Sequence, residues 1–264
     1  MEYQIAIPSY RRAELLQKAT LATLERLKVQ PERITIWVAN EAEEADYRAV
    51  LGNKYRIAVG VLGLVQQRRF YHQQYERDTR LIEICDDVFD IKIASGKSLL
   101  PYTDTLDKIA EVGFGVCEKV GARMWGINPV SNPFFMDNTI SVGLRLIYGT
   151  FFGSYAGDPV FTEARISESS SAEDFENSLK SFVTYGSLVR IDNLTPISKL
   201  FTTPGGILSM LAETSGNTRM QEHEVHLNQI VETYSDLATL YRKAGDVLNI
   251  RLKRVTHAKI PSTV

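Results

Sequence analysis

Between Tyr3 and Cys85, four short apolar runs alternate with three amphipathic stretches, and this alternation restricts the fold more than any other feature of the chain. YQIAIPS, Tyr3 to Ser9, reads as a buried strand that Pro8 ends. RRAELLQKATLATLERL follows, with Leu15, Leu16, Ala19, Leu24 and Leu27 at helical spacing. Ser9 or Tyr10 stands at the start of that helix, and Pro31 closes the connection beyond it. RITIWVA is a second strand, NEAEEADYRAVL an acidic helix start, and YRIAVGVLG a third strand. VQQRRFYHQQYER is a helix and RLIEIC a fourth strand. The order β-α-β-α-β-α-β with short loops predicts an α/β chain whose mainly parallel sheet carries helices on both faces.

The second half is less regular. LPYTDTLDKIAEVGFGVCEKVGA reads as a helix, RMWGINP as a strand ending at Pro129, and ISVGLRLIYGTFFGSY as one or two strands with glycine breaks. A serine-rich loop leads into a helix that opens with EDFE, in line with the preference of helix N-termini for carboxylates. LVRIDNLT returns as a strand, and TTPGGILSMLAETSGNTR is expected to be a mobile surface loop. MQEHEVHLNQIVETYSDLATLYRKAG reads as a long helix, and DVLNIRLKRVTHAKIP as a last basic strand and tail. With no internal repeat and no linker composition, 264 residues suit one domain.

The net charge of −2 gives no global attraction to nucleic acid or to an anionic membrane, so any polyanion must be held by local basic patches. Cys85 and Cys117 are too few for a disulfide scaffold and suit a reducing compartment. MEYQIAIPSYRR has no cleavable small-residue site, and SVGLRLIYGTFFGSYAG, broken by Arg and Gly, cannot span a bilayer as a lipid-facing helix. A soluble cytoplasmic protein is the expectation.

In parallel α/β sheets, ligands sit at the carboxyl ends of the strands. Pro8-Ser9-Tyr10-Arg11, Ala39-Asn40-Glu41, Gly63-Leu64 and Asp86-Asp87 fall there. A strand-end carboxylate pair suits Mg2+ or Mn2+, since hard cations take oxygen ligands and share the rest with phosphate and water. The alternative for Asp86-Asp87 is a solvated turn. Arg11 and Arg12 can meet a diphosphate or simply be solvated at the helix start. Arg68 and Arg69 leave the same choice, with one of them facing solvent. Glu173 and Asp174 are candidates for the base that deprotonates an acceptor hydroxyl, or are an acidic helix start. His223 and His226 can coordinate a metal beside Glu222 and Glu224, although a solvated helix face explains them better. His257 lies in a strand-to-tail context. There is no H-E-x-x-H, zinc spacing, Walker A or G-x-G-x-x-G, which argues against P-loop phosphoryl transfer and hydride transfer.

Taken in order, IPSYRR, VANEAEEADY, ICDDV, WGINPVSNPFFM, IYGTFFGSYAG, EDFE and TPGGI resemble a GT-A glycosyltransferase. More narrowly, they resemble the DNA base glycosyltransferases associated with TET/JBP enzymes in phages and kinetoplastids. The resemblance implies a GT-A-like (Rossmann-like) domain over 1–264, with a nucleotide-sugar-binding half at 1–95 and an acceptor-binding half at 96–264. It implies a UDP-sugar donor and Mn2+ or Mg2+. The acceptor it implies is DNA carrying a hydroxymethylated cytosine or uracil, in the host cytoplasm if the gene is a phage's. By position it places Pro8, Tyr10, Arg11, Asn40 and Glu41 beside the nucleotide, and Arg68 or Arg69 at the donor. It places Asp86 and Asp87 at the metal, Glu173 and Asp174 near the acceptor, and His257 on the metal or diphosphate. Two departures stand out: Cys85 occupies the place of a third aspartate, and the chain is not basic. Arg242, Lys243, Arg251, Lys253, Arg254 and Lys259, with Arg219, supply local positive charge for a DNA contact, or else a solvated final strand.

Overall fold

The computed structural model describes residues 1–166, 172–198, 219–243 and 245–264, without the side chains of 219–222. The serine run at 167–171, most of the glycine-rich loop with its TPGGI stretch, and the side chains of Arg219 and Glu222 lie outside the described residues.

The chain begins with β1 (Gln4–Pro8), then α1 (Ala13–Leu16), a π segment (Gln17–Leu21) and α2 (Ala22–Arg26). Next come β2 (Ile34–Val38), α3 (Glu41–Leu51), β3 (Arg56–Val59), α4 (Leu64–His72) and β4 (Arg80–Ile84). A hairpin of β5 (Val88–Ser95) and β6 (Ser98–Pro101) precedes α5 (Leu106–Val120), β7 (Trp125–Ile127), β8 (Thr139–Leu144) and β9 (Phe151–Tyr155). The short α6 (Pro159–Thr162), α7 (Glu173–Tyr185), β10 (Leu188–Ile191) and β11 (Leu194–Ser198) follow. The last elements are α8 (Arg219–Thr233), β12 (Ala238–Arg242), β13 (Leu248–Leu252) and β14 (Val255–Pro261).

Nine strands form the central sheet in the order β14-β8-β10-β7-β9-β4-β1-β2-β3. β4, β1, β2 and β3 are parallel, as expected. β9 runs against both β4 and β7, and β8 runs against both β10 and β14, while β7 and β10 are parallel. All strands of the sheet except β8 and β9 therefore share one direction, which keeps it mainly parallel. Both faces are covered. Ile5 and Ile7 pack with α1, α2, α3 and α5 on one side, and Ala6 packs with Trp37 and Tyr71 on the other. The two-residue side-chain period of a strand buried on both faces accounts for the continuous apolar runs in the sequence.

Two readings of the second half need correction, and a stretch left unassigned above is a hairpin. VFDIKIASGKSLLP forms the β5–β6 hairpin, and β11 joins it in a separate three-stranded sheet. LVRIDNLT is two strands rather than one, turning at Asp192 and Asn193. The long helix ends at Thr233, and ATLYR pairs with LNIRL as an antiparallel hairpin. Helical propensity in that stretch yields to burial of Ala238, Leu248 and Ile250 against α8.

Trp125 is the steric centre of the sheet. It is fully buried, and its indole lies over two glycines, Gly113 of α5 and Gly153, its direct partner on β9. A Cβ at Gly153 would stand 2.0 Å from the indole nitrogen, which no rotamer change of Trp125 in a closed core can relieve. Gly153→Ala is expected to cost about 1–3 kcal/mol, read as a lower denaturant midpoint with an unchanged slope. A midpoint equal to the parent's would mean that the core accommodates the methyl group.

Candidate active site

The rim at the carboxyl ends of β1 to β4 carries the first set of polar side chains. Asp86 and Asp87 leave β4 and are buried. Asp86 Oδ2 accepts from Ser9 Oγ at 2.6 Å, and its Oδ1 accepts from Arg12 Nη1 at 3.2 Å. Burial lifts Asp86 to about 6, against the pull of Arg12. Burial also raises Asp87, which is held down only by the more distant Arg12 charge and its own backbone amide. Among the described residues no other side chain hydrogen-bonds to Asp87. A buried carboxylate without a pairing cation is costly, and that cost falls when a cation arrives.

The loop ahead of α1 is ordered by α3. Arg11 has φ 53°, in the left-handed region. Neither belongs to a first helical turn. The Arg11 amide donates to Glu43 Oε2 at 2.9 Å, and its guanidinium lies 4.9 Å from the Tyr10 ring. Asn40 caps α3, its Oδ1 accepting from the Glu43 amide at 3.0 Å, and Glu41 is exposed beside it. Pro8, the last residue of β1, is buried.

The second set comes from the segment after β8 and the start of α7. Gly149 is its hub. The Gly149 amide donates to Asp174 Oδ1 at 2.7 Å, and its carbonyl accepts from Arg68 Nη2 at 2.7 Å and from Cys85 Sγ at 3.4 Å. The Cys85 amide donates to Thr150 O at 3.0 Å, fastening the two sets together. A Cβ on Gly149 would lie 2.6 Å from Arg68 Nη1 and 2.9 Å from Asp174 Oδ1, so this approach needs glycine. Burial, reinforced by the neighbouring Glu173, raises Asp174 to about 6. Among the described residues its second oxygen has no partner, and the residue as a whole is half-buried.

Arg68 is a buried strut rather than a free ligand for a donor. It pairs with Glu173 of α7, bonds the Gly149 carbonyl, and lies 3.5 Å from Glu83 Oε2. Although burial opposes its charge, these carboxylates hold its pKa well above the usual value. Glu83 is fully buried, with Tyr71 Oη, His72 Nε2 at 3.0 Å and Ser154 Oγ at 2.6 Å on its oxygens. Burial pushes the Glu83 carboxyl up, but His72 and Arg68 outweigh it and the net shift is down. Glu173, bound to Arg68, is therefore not a free base. Arg69 is half-buried on α4, where its charge is felt by Lys180 of α7.

Two histidine readings change. His257 sits where β14 bulges, stacks on Phe182, and lies 3.1 Å from the Gly186 carbonyl at the C-terminal end of α7. Asp174 is at the opposite end of that helix, about 20 Å away at 1.5 Å per residue, so His257 does not join the aspartates. His226 is not on a solvated face: it is buried, with Nε2 3.0 Å from Glu176 Oε2. Among the described residues no three His, Cys, Asp or Glu side chains gather as a metal cage. Asp86 and Asp87 fit the other kind of cation site, in which one or two carboxylates share the ion with phosphate and water.

Sequence reasoning placed Ser9 on the rim without its partners and passed over Tyr47 and Gly149. Ser9 and Tyr47 are linked at 2.6 Å across thirty-eight positions, a contact without local periodicity. Gly149 carries the detectable signal, a glycine at the break between two strand-like runs.

No family model matches the sequence, and no curated protein does. Solved structures do match in fold. Glucosyl-3-phosphoglycerate synthase from Mycobacterium tuberculosis, in complex with Mn2+, UDP and phosphoglyceric acid, superposes with a TM-score of 0.53 at 8% identity, over 98% of this chain and 89% of that one. The same synthase with Mn2+, UDP-glucose and phosphoglyceric acid gives 0.53 at 9% identity, over 98% and 89%. With Mn2+, UDP-glucose and glycerol 3-phosphate it gives 0.52 at 8%, again over 98% and 89%. The chain has the Rossmann-like GT-A fold of these structures. No helix among its described residues is long and apolar enough to cross a membrane.

Proposed function

We propose that this protein is a metal-dependent glycosyltransferase that moves a sugar from a UDP-sugar to the hydroxymethyl group of a modified pyrimidine in DNA. The observation that carries the reading is the juxtaposition at Gly149. A buried carboxylate corner on the rim, in which Asp87 has no side-chain partner among the described residues, is fastened to a second carboxylate, Asp174, tuned toward neutral pH. Asp87, with Asp86, holds Mn2+ or Mg2+ in this reading, which supplies Lewis-acid neutralisation of the leaving diphosphate. In this reading residues 1–95 hold the donor, with Pro8, Tyr10, Arg11, Asn40 and Glu41 beside the nucleotide. Residues 96–264 receive the acceptor.

Asp174 accepts the proton of the attacking hydroxyl as oxygen bonds to the sugar's C1, and the C1–O electron pair leaves with UDP. This assignment applies to a reaction that inverts the anomeric centre. As the base, Asp174 must be ionised, so transfer is expected to rise with pH through about 6 and level off above it. Asp174→Asn is expected to lower kcat by about 10²–10⁴ and to remove that limb. A variant that kept the limb would place the base elsewhere.

The DNA acceptor is supported by the order of the resembling stretches and by the NPFFM turn at the carboxyl end of β7. There Phe134 and Phe135 are 85% and 63% exposed, the kind of aromatic faces on which an unstacked base packs. A second reading, a small phosphorylated hydroxyl acceptor, takes its support from the ligands of the superposed synthase. The test is to incubate the protein with Mn2+, a panel of UDP-sugars and DNA containing 5-hydroxymethylcytosine or 5-hydroxymethyluracil, then digest and weigh the nucleosides. A nucleoside heavier by one sugar is the expected result. UDP release driven by phosphoglycerate, with unmodified DNA recovered, would favour the second reading.

A further inference from the structure

Both oxygens of Asp86 are already engaged, and the bonds that engage them close into a ring. Ser9 Oγ donates to Asp86 Oδ2 at 2.6 Å. Because the Ser9 proton is committed there, the 2.6 Å contact between Ser9 Oγ and Tyr47 Oη has Tyr47 as donor. Tyr47 Oη in turn accepts from the Arg12 amide at 3.0 Å. The Arg12 guanidinium returns to Asp86 Oδ1 at 3.2 Å. The side chains of Arg12 and Asp86 are only 12% and 7% exposed, so their charges meet largely out of water. Asp87, the next residue, is left outside the ring.

A divalent ion that takes Asp87 as a ligand arrives beside a carboxylate already neutralised by a cation. Two positive groups cannot both sit against Asp86 without repulsion, so one must give way. The guanidinium is the partner that can be re-aimed by rotation about its own side-chain torsions. It hangs on an unbranched stem at the end of the loop that Arg11 turns at φ 53°, while Ser9, on the short path from β1, has no comparable freedom.

We propose that Arg12 is a resident counter-cation at Asp86 that the divalent ion displaces, and that the released guanidinium then binds the donor's diphosphate. The proposal rests on the donor-site reading above and adds a residue and an order of events to it. With ion and donor bound, Arg12 offsets a further negative charge of the diphosphate, for which its planar fork is suited. The ion pair thus makes metal and donor binding interdependent: metal binding alone must displace Arg12, and donor binding gives the displaced group a new partner.

The measurement is the affinity for Mn2+ alone, from the electron paramagnetic resonance of free Mn2+, and then the affinity for UDP at saturating Mn2+ by calorimetry. Arg12→Gln is expected to bind Mn2+ about tenfold more tightly than the parent and UDP about tenfold more weakly. Arg12→Lys, which keeps the charge but not the fork, is expected to match the parent for Mn2+ and to fall between the two for UDP. The sign separates this from a structural latch, because loosening the loop would weaken Mn2+ binding. Unchanged or weaker Mn2+ binding by Arg12→Gln overturns the proposal. If that variant does not fold, Arg12→Lys decides: UDP affinity equal to the parent's overturns it. The donor reading is tested separately, by whether the parent protein transfers sugar. An active parent whose Arg12→Gln form keeps the parental Mn2+ affinity defeats this inference alone, and a parent that binds neither Mn2+ nor UDP defeats both.

Discussion

Asp87→Asn is expected to lower sugar transfer by on the order of a thousandfold and to abolish Mn2+ binding, while the protein folds and melts as well as the parent or better. The loss follows from the scale of Lewis-acid stabilisation, several kcal/mol, at about 1.4 kcal/mol per tenfold in rate. The gain in stability follows from burial. Asp87 has a folded pKa above its ordinary value of 3.8, so its ionisation is disfavoured in the fold. Its contribution to stability is fully present below 3.8 and is lost as pH rises through the raised value. Asparagine has the same shape and does not titrate. The variant's advantage in melting temperature is therefore expected at neutral pH and should vanish in acid. Full transfer by Asp87→Asn in the presence of EDTA would remove the metal from the reading.

Arg68→Met should give the largest loss of stability, about 3–5 kcal/mol, because it leaves Glu83 and Glu173 buried without their shared cation. For a chain of this length that is about 10 °C in melting temperature. Activity falls with it, since the same guanidinium holds the Gly149 carbonyl and thereby the Gly149 amide on Asp174. Adding Glu173→Gln to Arg68→Met should restore part of the stability by removing one stranded charge, which a double-mutant cycle measures. If the single variant lost less than about 1 kcal/mol, water or rearrangement would be compensating the carboxylates, and the strut would not be what fastens α7 to α4.

The rim at the carboxyl ends of β1 to β4 was legible because each of its parts is local. The strands β1 to β4 and the helices between them each display their own period, and strand-end residues fall on one rim whatever the loops do. The place of Asp86 and Asp87 on that rim needed nothing more. Arg68 was found as a residue but not in its role, since its partner Glu173 is one hundred and five positions away and no periodicity encodes that contact. His257 was misplaced for a related reason: its position near the C-terminus says nothing about which end of α7 it meets. The β12–β13 hairpin was hidden by apolar residues compatible with both periods. The break at Gly245, with φ 83°, was the available sign of a turn. The β5–β6 hairpin had a clearer one, alternating Ile91, Lys92 and Ile93 ahead of Ser95-Gly96.

Strand β9 also bears on how the protein is made. It pairs with β4 from Ile84↔Phe151 to Arg80↔Tyr155, so the inner edge of β4 stays open until the chain has been synthesised some seventy residues beyond it. During that interval the nascent sheet presents an unpaired backbone edge, Leu81 to Ile84, on which another nascent chain could template. The β5–β6 hairpin and α5 emerge first, but in the finished fold they pack on the face of the sheet and not along that edge. Yield from fast synthesis should therefore be limited by the time between the fourth strand and the ninth, a vulnerability of assembly rather than of the finished molecule.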